Sequence, residues 1–394
     1  MSVDADVIVA GAGPAGATAA ATLARQGLRV IVCDRATFPR DKTCGDGLIS
    51  DTIQVLQAMG LFDRVAERAY CGTHLRLVSP AGIQLLCRTP FLVLPRLELD
   101  HLLVSHAAAA GAEFRQLVVD APVEADGRVV GVQARTARGS PIELRAPLTI
   151  LATGAAGQML QRFDATSRAT ASAMAIRIYG RPTRPLPDNH PIIALEKDLL
   201  PGYTWAFPTR SGMLNVGVGV ISATVFKRRL NLRTRLDQLV AGGGLLGAIL
   251  GPFTLESDYR GAPLRTGLTG SILGRPGLAI VGDAAGTTYP ISGEGIGKAM
   301  ESSLVVCELV ADGVPLPDVG PRYRDAVQAR YGDRFRGYQL AERWMTVPGV
   351  ADYVARRANR STWVRERLEG ILSERTNPGR IFSIRALWQL ATRH

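Results

Sequence analysis

Apolar residues in this chain come in short bursts whose rhythm changes along the sequence. Val7-Ile8-Val9-Ala10 is a continuous apolar run of the kind a strand buried on both faces requires. Residues 17–26 are Ala-rich with Leu23 on the inward side and stop at Gly27, which predicts a helix with glycine just past its end. Residues 28–33 form a second strand of the buried type and end on Asp34. Residues 50–59 have helical spacing and stop at Gly60. Residues 75–78 and 83–87 flank Ser79-Pro80-Ala81-Gly82 as a hairpin. A helix is predicted over 97–110, strands over 113–119 and 129–134 around an Ala125-Asp126-Gly127 turn, and a buried strand over 148–152. From about 170 to 265 the rhythm differs: strands at 172–178, 192–196, 204–207 and 215–220 follow one another without long helices, the pattern of an antiparallel sheet. Leu278-Ala279-Ile280-Val281 returns to the buried type, residues 295–311 read as a helix, and the remainder is mostly helical with breaks at Pro315, Pro317, Pro348 and Pro378.

The expected architecture is α/β: a Rossmann-like nucleotide-binding domain on a parallel sheet, an inserted antiparallel-sheet domain and a C-terminal helical region. The expected boundaries are 1–77, 93–170 and 265–311 for the first, 78–92 and 171–264 for the second, and 312–394 for the third. A chain of 394 residues can bury a core of this size.

The turn after the first strand carries the first chemistry. Gly11-Ala12-Gly13-Pro14-Ala15-Gly16 fits G-x-G-x-x-G directly between strand and helix. Gly11 permits the tight turn, Gly13 lets backbone approach a pyrophosphate, and Gly16 lets helix and strand pack closely. The helix N-terminus offers free N–H groups to phosphate. Asp34 stands 23 residues after Gly11, placed to accept from a ribose hydroxyl. This stretch implies a dinucleotide and leaves NAD and FAD both open.

Composition removes several alternatives. The longest apolar stretch, 239–253, is short and Gly-rich, so no membrane span is expected, nor is a signal peptide ahead of a strand that starts near residue 6. The five cysteines are scattered without C-x-x-C, which predicts a reducing cytoplasm and no metal site or disulfide framework. The net charge is +11, and residues 312–394 hold 15 Arg, no Lys and 9 Asp or Glu. No nucleic-acid motif accompanies this charge. Two readings of the basic tail stay open: a solvated helical surface, or peripheral contact with an anionic membrane through Trp363, Arg365, Arg367, Ile381, Phe382, Leu387, Trp388 and Leu390.

Three separated stretches resemble one family. They are Gly11 to Gly16 with Asp34; Gly282-Asp283-Ala284-Ala285-Gly286 with Pro290 and Gly293-Glu294-Gly295-Ile296; and Phe38-Pro39-Arg40, Lys42, Cys44-Gly45 with Pro201-Gly202-Tyr203-Thr204-Trp205-Ala206-Phe207-Pro208. Together they resemble the geranylgeranyl reductase family, within the p-hydroxybenzoate-hydroxylase-like FAD group. The resemblance implies noncovalent FAD. It implies cofactor contacts at Gly11, Gly13, Pro14, Ala15, Gly16, Asp34, Arg35, Cys44, Gly45, Gly47, Arg96, Gly154, Gly282, Asp283, Pro290, Gly293, Gly295 and Ile296. Asp283 at a strand end suits a ribityl hydroxyl, and the helix beginning near Gly295 turns its positive end toward the flavin, where it favours the anionic reduced form. Arg96 with Asp100 fits the family's Arg-x-x-x-Asp pattern; a simple ion pair is the alternative. Lys42 is either solvated or at the mouth of the site.

Tyr203, Trp205 and Phe207 share one strand face by period two and are the expected substrate wall. Cys44, Tyr203 and Trp205 are the candidate catalytic residues, although the proton donor has no assignment; His74, His101, His106, His190 and His394 lie outside the motifs. The implied activity is FAD-dependent reduction of C=C bonds in a prenyl chain on a lipid, quinone or pigment. The alternative is an FAD monooxygenase hydroxylating an aromatic or peptide-bound substrate. A halogenase fits less well, because that class carries Trp-x-Trp-x-Ile-Pro where this chain has Tyr-Thr-Trp-Ala-Phe-Pro; a flavin-bound electron carrier would need no substrate tunnel. Thr153 replaces the acid of an Asp-Gly pair used by many hydroxylases of the group. NADPH is therefore one reductant to weigh against an electron donor protein or a quinol.

Overall fold

A computed structural model describes residues 3–184, 186 and 188–381. Two sheets organise them. The first runs, in spatial order, Gly274–Arg275, Leu278–Ile280, Leu148–Leu151, Val7–Ala10, Val30–Asp34, Glu113–Ala125, Arg128–Thr136 and Pro141–Arg145. Its centre is parallel, with Val7 opposite Val30 on one side and Leu148 on the other. Val7–Ala10 and Leu148–Leu151 are buried throughout, as their unbroken apolar runs require. The last three strands of the order pair antiparallel and extend that sheet as a meander.

The second sheet runs Phe253–Leu255, Ala173–Pro182, Leu214–Ile221, Tyr203–Pro208, Ile192–Ala194, Tyr70–Val78, Gln84–Val93 and Gly47–Leu48, with Arg260–Leu264 also on Ala173–Pro182. Its pairings are antiparallel except that Ile192–Ala194 lies parallel to Tyr70–Val78. The hairpin arms are longer than the apolar pattern suggested. Tyr70–Val78 belongs wholly to this sheet, whereas the expected boundaries left residues up to 77 with the nucleotide-binding part. Alternation in Tyr70–Val78 is blurred by half-buried polar residues, so its first half carries no clear strand rhythm. The apolar stretch near 239–253 folds as the short helices Leu232–Val240 and Gly244–Leu250, whose Leu236, Leu239, Leu246 and Leu250 pack on this sheet.

Two helices set the site. Pro14–Arg25 begins with proline in its first turn, where no N–H is needed, and buries its Ala-rich face. Ile296–Ala311 packs beside it and against Ser50–Ala58. The C-terminal helices Pro348–Arg360 and Thr362–Leu372 lie over the hairpin of the second sheet, joined there by the end of Val319–Trp344, which otherwise packs on Ile296–Ala311 and the edge of the first sheet. Trp363 joins a cluster with Leu85 and Cys87, Arg367 stacks on the Trp363 ring, and Ile381 is buried. These described residues of the basic tail thus pack on the body. Phe382, Leu387, Trp388, Leu390 and His394 lie outside the described residues. No described helix is long and apolar enough to cross a membrane.

Candidate active site

The first turn is built to leave room for a phosphate. Gly11 has φ +104°, and a Cβ there would meet the Ala152 carbonyl oxygen at 2.4 Å, so only glycine fits between the two strand ends. A Cβ on Gly16 would lie 1.8 Å from the Gly11 oxygen, which confirms its packing role. Gly13 differs: a Cβ there would meet only the guanidiniums of Arg40 and Arg96, each at 3.8 Å. Two cations therefore face the helix N-terminus across a gap. Both are fixed by buried Asp100, which Arg96 grips through Nε at 2.6 Å and NH2 at 2.7 Å and Arg40 approaches at 3.0 Å. Arg96 is thus both ion-paired and turned to the cavity. Asp34 accepts the Ala12 and Ala36 amides at 2.8 and 2.9 Å, and these hold it in place with lone pairs left for hydroxyl donors.

The second motif meets the first. A Cβ on Gly282, at φ +62°, would come within 3.1 Å of the Ala15 side chain. Asp283 accepts the Thr288 hydroxyl at 2.5 Å and faces the cavity next to the start of Ile296–Ala311. Pro290, Gly293, Gly295 and Ile296 line the same space.

Opposite stands the aromatic strand. Tyr203, Trp205 and Phe207 are paired with Gly219, Gly217 and Asn215 of the adjacent strand. The missing side chain at Gly217 seats the indole: a Cβ there would sit 2.2 Å from Trp205. Phe91 adds an edge-on contact with Phe207 at 4.9 Å. The loop holding Cys44 crosses this wall so closely that a Cβ on Gly45 would meet Phe207 at 3.2 Å, and one on Gly47 would meet Phe91 at 2.8 Å. Tyr203 donates its hydroxyl to the Ser292 carbonyl, which ties the wall to the second motif.

Residues the sequence reading left out pin that loop. Asn215 donates to the Cys44 carbonyl at 2.8 Å and to Asp46 at 2.7 Å. Tyr179 also donates to Asp46, and buried Arg177 holds Asp41 at 2.7 Å. The Asn-Val-Gly-Val-Gly run was the available signal, since a strand with two glycines facing two aromatics asks for an explanation. Burial pushes the Asp46 carboxyl up to about 6 against the pull of Tyr179 and Asn215. Burial likewise pushes the Cys44 thiol up, opposed by Arg96, so this sulfur is a protonated thiol at neutral pH. The Lys42 ammonium, which also lines the cavity, is pushed down by burial and by Arg96.

One cavity of about 810 Å³ joins these parts. It is lined by the expected residues Gly11, Gly13, Pro14, Ala15, Asp34, Arg35, Cys44, Gly45, Gly47, Arg96, Gly154, Asp283, Pro290, Gly293, Gly295, Ile296, Tyr203, Trp205 and Phe207; Gly16 and Gly282 stand behind it as packing positions. The C-terminal helices, to which no site residue was assigned, roof it with Tyr338, Met345, Val354 and Leu372. The open cradle at Gly13 between two arginines and a helix N-terminus, with carboxylates at Asp34 and Asp283, fits the pyrophosphate and hydroxyls of FAD.

Known proteins agree. A profile described as an FAD binding domain matches residues 4–188. The menaquinone reductase of Mycolicibacterium smegmatis is 32% identical over 361 residues, 87% of this chain and 84% of that protein. The digeranylgeranylglycerophospholipid reductase of Thermoplasma volcanium is 27% identical over 365 residues, 85% of each. A geranylgeranyl bacteriochlorophyll reductase-like protein from Thermoplasma acidophilum superposes with a TM-score of 0.75 at 22% identity, covering 99% of this chain and 96% of that one. A flavin-dependent brominase does so with a TM-score of 0.77 at 18%, covering 99% and 100%; these two structures share the fold. With a relative above 30% identity along most of its length, and with the cradle and the aromatic wall in place, the chain belongs to the geranylgeranyl reductase family and is an FAD-dependent oxidoreductase.

Proposed function

We propose that this protein saturates carbon–carbon double bonds in the prenyl chain of a quinone or lipid. The observation that carries the reading is the single cavity that begins at the dinucleotide cradle, passes the aromatic strand and continues under the apolar roof of the C-terminal helices. A prenyl chain needs such a lining, and the names of the relatives, a menaquinone reductase and a digeranylgeranylglycerophospholipid reductase, agree with it.

FAD, when bound and reduced, supplies the hydride. The rest falls to the chain. An isolated alkene is a poor hydride acceptor, so the protein has to fix it at near-attack distance and keep water out. Trp205 and Phe207, both nearly fully buried, and half-buried Tyr203 supply a rigid apolar face for this. Gly45 and Gly47, having no side chains, let the Cys44 loop pack directly on Phe207, Trp205 and Phe91. On this reading Gly13, Arg96 and Asp34 bind the cofactor, and Cys44 lies beside it. Thr153, which offers no acid where many hydroxylases of the group carry one, favours a carrier protein or quinol over NADPH as the electron donor.

The same reading includes contact with a membrane surface, where a prenyl lipid resides. It is supported by Phe226, which is 68% exposed and followed by Lys227, Arg228 and Arg229.

The deciding experiment is anaerobic. Protein loaded with FAD and reduced by dithionite is mixed with menaquinone or with a geranylgeranyl lipid, any quinol is reoxidised to the quinone, and the product is weighed. A gain of two hydrogens per reduced bond supports the reading. A product that gains an oxygen atom under aerobic turnover, with no gain of hydrogens, rejects it in favour of the monooxygenase.

A further inference from the structure

Glu294 is a half-buried acid with a buried carboxyl oxygen, and the reading above does not use it. It sits between Gly293 and Gly295 in the turn ahead of Ile296–Ala311, and it lines the cavity. Its Oε2 is buried and makes no hydrogen bond among the described residues, and the one polar side chain set beside the carboxyl is the neutral hydroxyl of Ser292.

Behind Glu294 stands a cluster of charge. Lys298, whose side chain is 4% exposed, places Nζ 2.5 Å from Glu301, 2.7 Å from Glu374 and 3.4 Å from Asp51. Arg334 adds a second cation 3.2 Å from Glu374. The three carboxyls around Lys298 are close enough to suit a metal ion, but the ammonium holds that centre. Tyr289 and Tyr338 stack at 4.0 Å and line the cavity alongside Glu294.

Four carboxyls, those of Asp51, Glu294, Glu301 and Glu374, thus face two cations. Full ionisation would leave two unbalanced negative charges out of water, which is far costlier than keeping a proton. Lys298 and Arg334 bond the other carboxyls and leave Glu294 without a cation of its own. The proton therefore belongs on Glu294. Burial, with the Glu374 and Asp51 carboxylates, also holds its carboxyl well above the usual range against the pull of Lys298. Glu374 is pushed up to about 7, chiefly by burial, so it can exchange protons near neutrality. Glu301, at 22% exposure, leads toward solvent. The other hydroxyl at the wall, that of Tyr203, is already donated to the Ser292 carbonyl.

We propose that Glu294 is the acid of the reaction, giving its proton to the alkene carbon that does not receive the hydride and regaining one from solvent by way of Glu374. This rests on the alkene-reductase reading. Each saturated bond gains one hydride from the reduced cofactor and one proton from the Glu294 carboxyl, which is left as carboxylate until reprotonated. The alkene is reduced by two electrons and the cofactor is oxidised by two.

Glu294→Gln keeps the shape and removes the proton. Infrared spectroscopy of the cofactor-free protein at pH 7, in a Glu374→Gln background that removes the carboxyl titrating at about 7, should show a protonated carboxyl band, sensitive to deuterium exchange, that disappears when Glu294→Gln is added. FAD affinity should stay unchanged, and alkene reduction by the dithionite-reduced protein should fall roughly 10²- to 10⁴-fold. Glu374→Gln should keep the Glu294 band and slow its deuterium exchange. Retention of the band when Glu294→Gln is added to that background, or of activity within about threefold in Glu294→Gln, overturns the proposal. If the Glu294 band is present yet the native protein reduces no prenyl alkene, the alkene-reductase reading falls and the delivery step with it, while the stored proton stands.

Discussion

Trp205 donates its indole N–H to Asn215 Oδ1 at 3.0 Å, and the amide of that same Asn215 donates to the Cys44 loop. One buried side chain therefore couples the aromatic wall to the loop that faces it. Trp205→Phe keeps the apolar surface but orphans a buried acceptor, at a cost of about 1–3 kcal/mol. FAD binding should survive, because the cradle around Gly13 is formed by Arg40, Arg96 and the helix N-terminus. The loop should loosen, which predicts faster labelling of Cys44 by a thiol reagent, measured in a background lacking exposed Cys71. Trp205→Ala should lose alkene reduction with FAD retained; full activity in that variant removes Trp205 from the substrate wall.

The two glycines of the first turn should behave oppositely. Gly13→Ala meets nothing closer than 3.8 Å at an ordinary backbone angle, so stability of the cofactor-free protein should change by less than about 0.5 kcal/mol. The added methyl stands between the helix N-terminus and the arginines, and FAD affinity should drop at least tenfold, about 1.4 kcal/mol. Gly11→Ala combines a left-handed φ with a 2.4 Å clash and should cost roughly 2–4 kcal/mol even without cofactor. Urea titration and flavin fluorescence separate the two. A Gly13→Ala protein that binds FAD normally would place the pyrophosphate elsewhere.

Asp46 should leave a pH signature on stability. Its carboxyl is raised from 3.8 to about 6, chiefly by burial, so between those values the folded state holds a proton the unfolded chain has lost. Stability contributed by this group is therefore greatest below about pH 4 and is lost as pH rises to about 6, by about 3 kcal/mol. Asp46→Asn, neutral at every pH, should lack that decline. Denaturant midpoints of both proteins across the window give the answer, and parallel curves would mean that Asp46 is ionised throughout.

Membrane contact is testable at Phe226. Anionic liposomes should pellet the protein, neutral ones should pellet less, and Phe226→Ser with Arg228→Ser should reduce pelleting severalfold while leaving FAD content unchanged. Equal pelleting of native protein and variant would remove this surface from the reading.

Local chemistry was legible wherever backbone dictates residue type. Gly16 is required by a clash within its own turn and Gly11 by a left-handed φ, and the strand–turn–helix around them is contiguous in sequence. The aromatic wall was legible because period two is a local property of one strand. Asn215, Arg177 and Tyr179 were missed because their partners, Asp46 and Asp41, lie 169, 136 and 133 residues away, and each polar residue looks ordinary on its own strand. The roof was missed for a related reason. Met345, Val354 and Leu372 are unremarkable apolar helix positions until the packing of those helices over the hairpin turns them toward the cavity. Glu294 was visible as a letter between two glycines, but its isolation from Lys298 and Arg334 exists only in three dimensions.

The roof has a consequence for how such a reductase diversifies. The cofactor cradle, the aromatic wall and Glu294 come from segments before residue 312, whereas much of the far lining, together with Glu374, comes from segments after it. Swapping Met345 or Leu372 for smaller or larger neighbours would lengthen or shorten the bay available to a tail while the flavin's own cradle stays as it is. Chain-length preference and electron transfer can thus drift independently, each under its own selection.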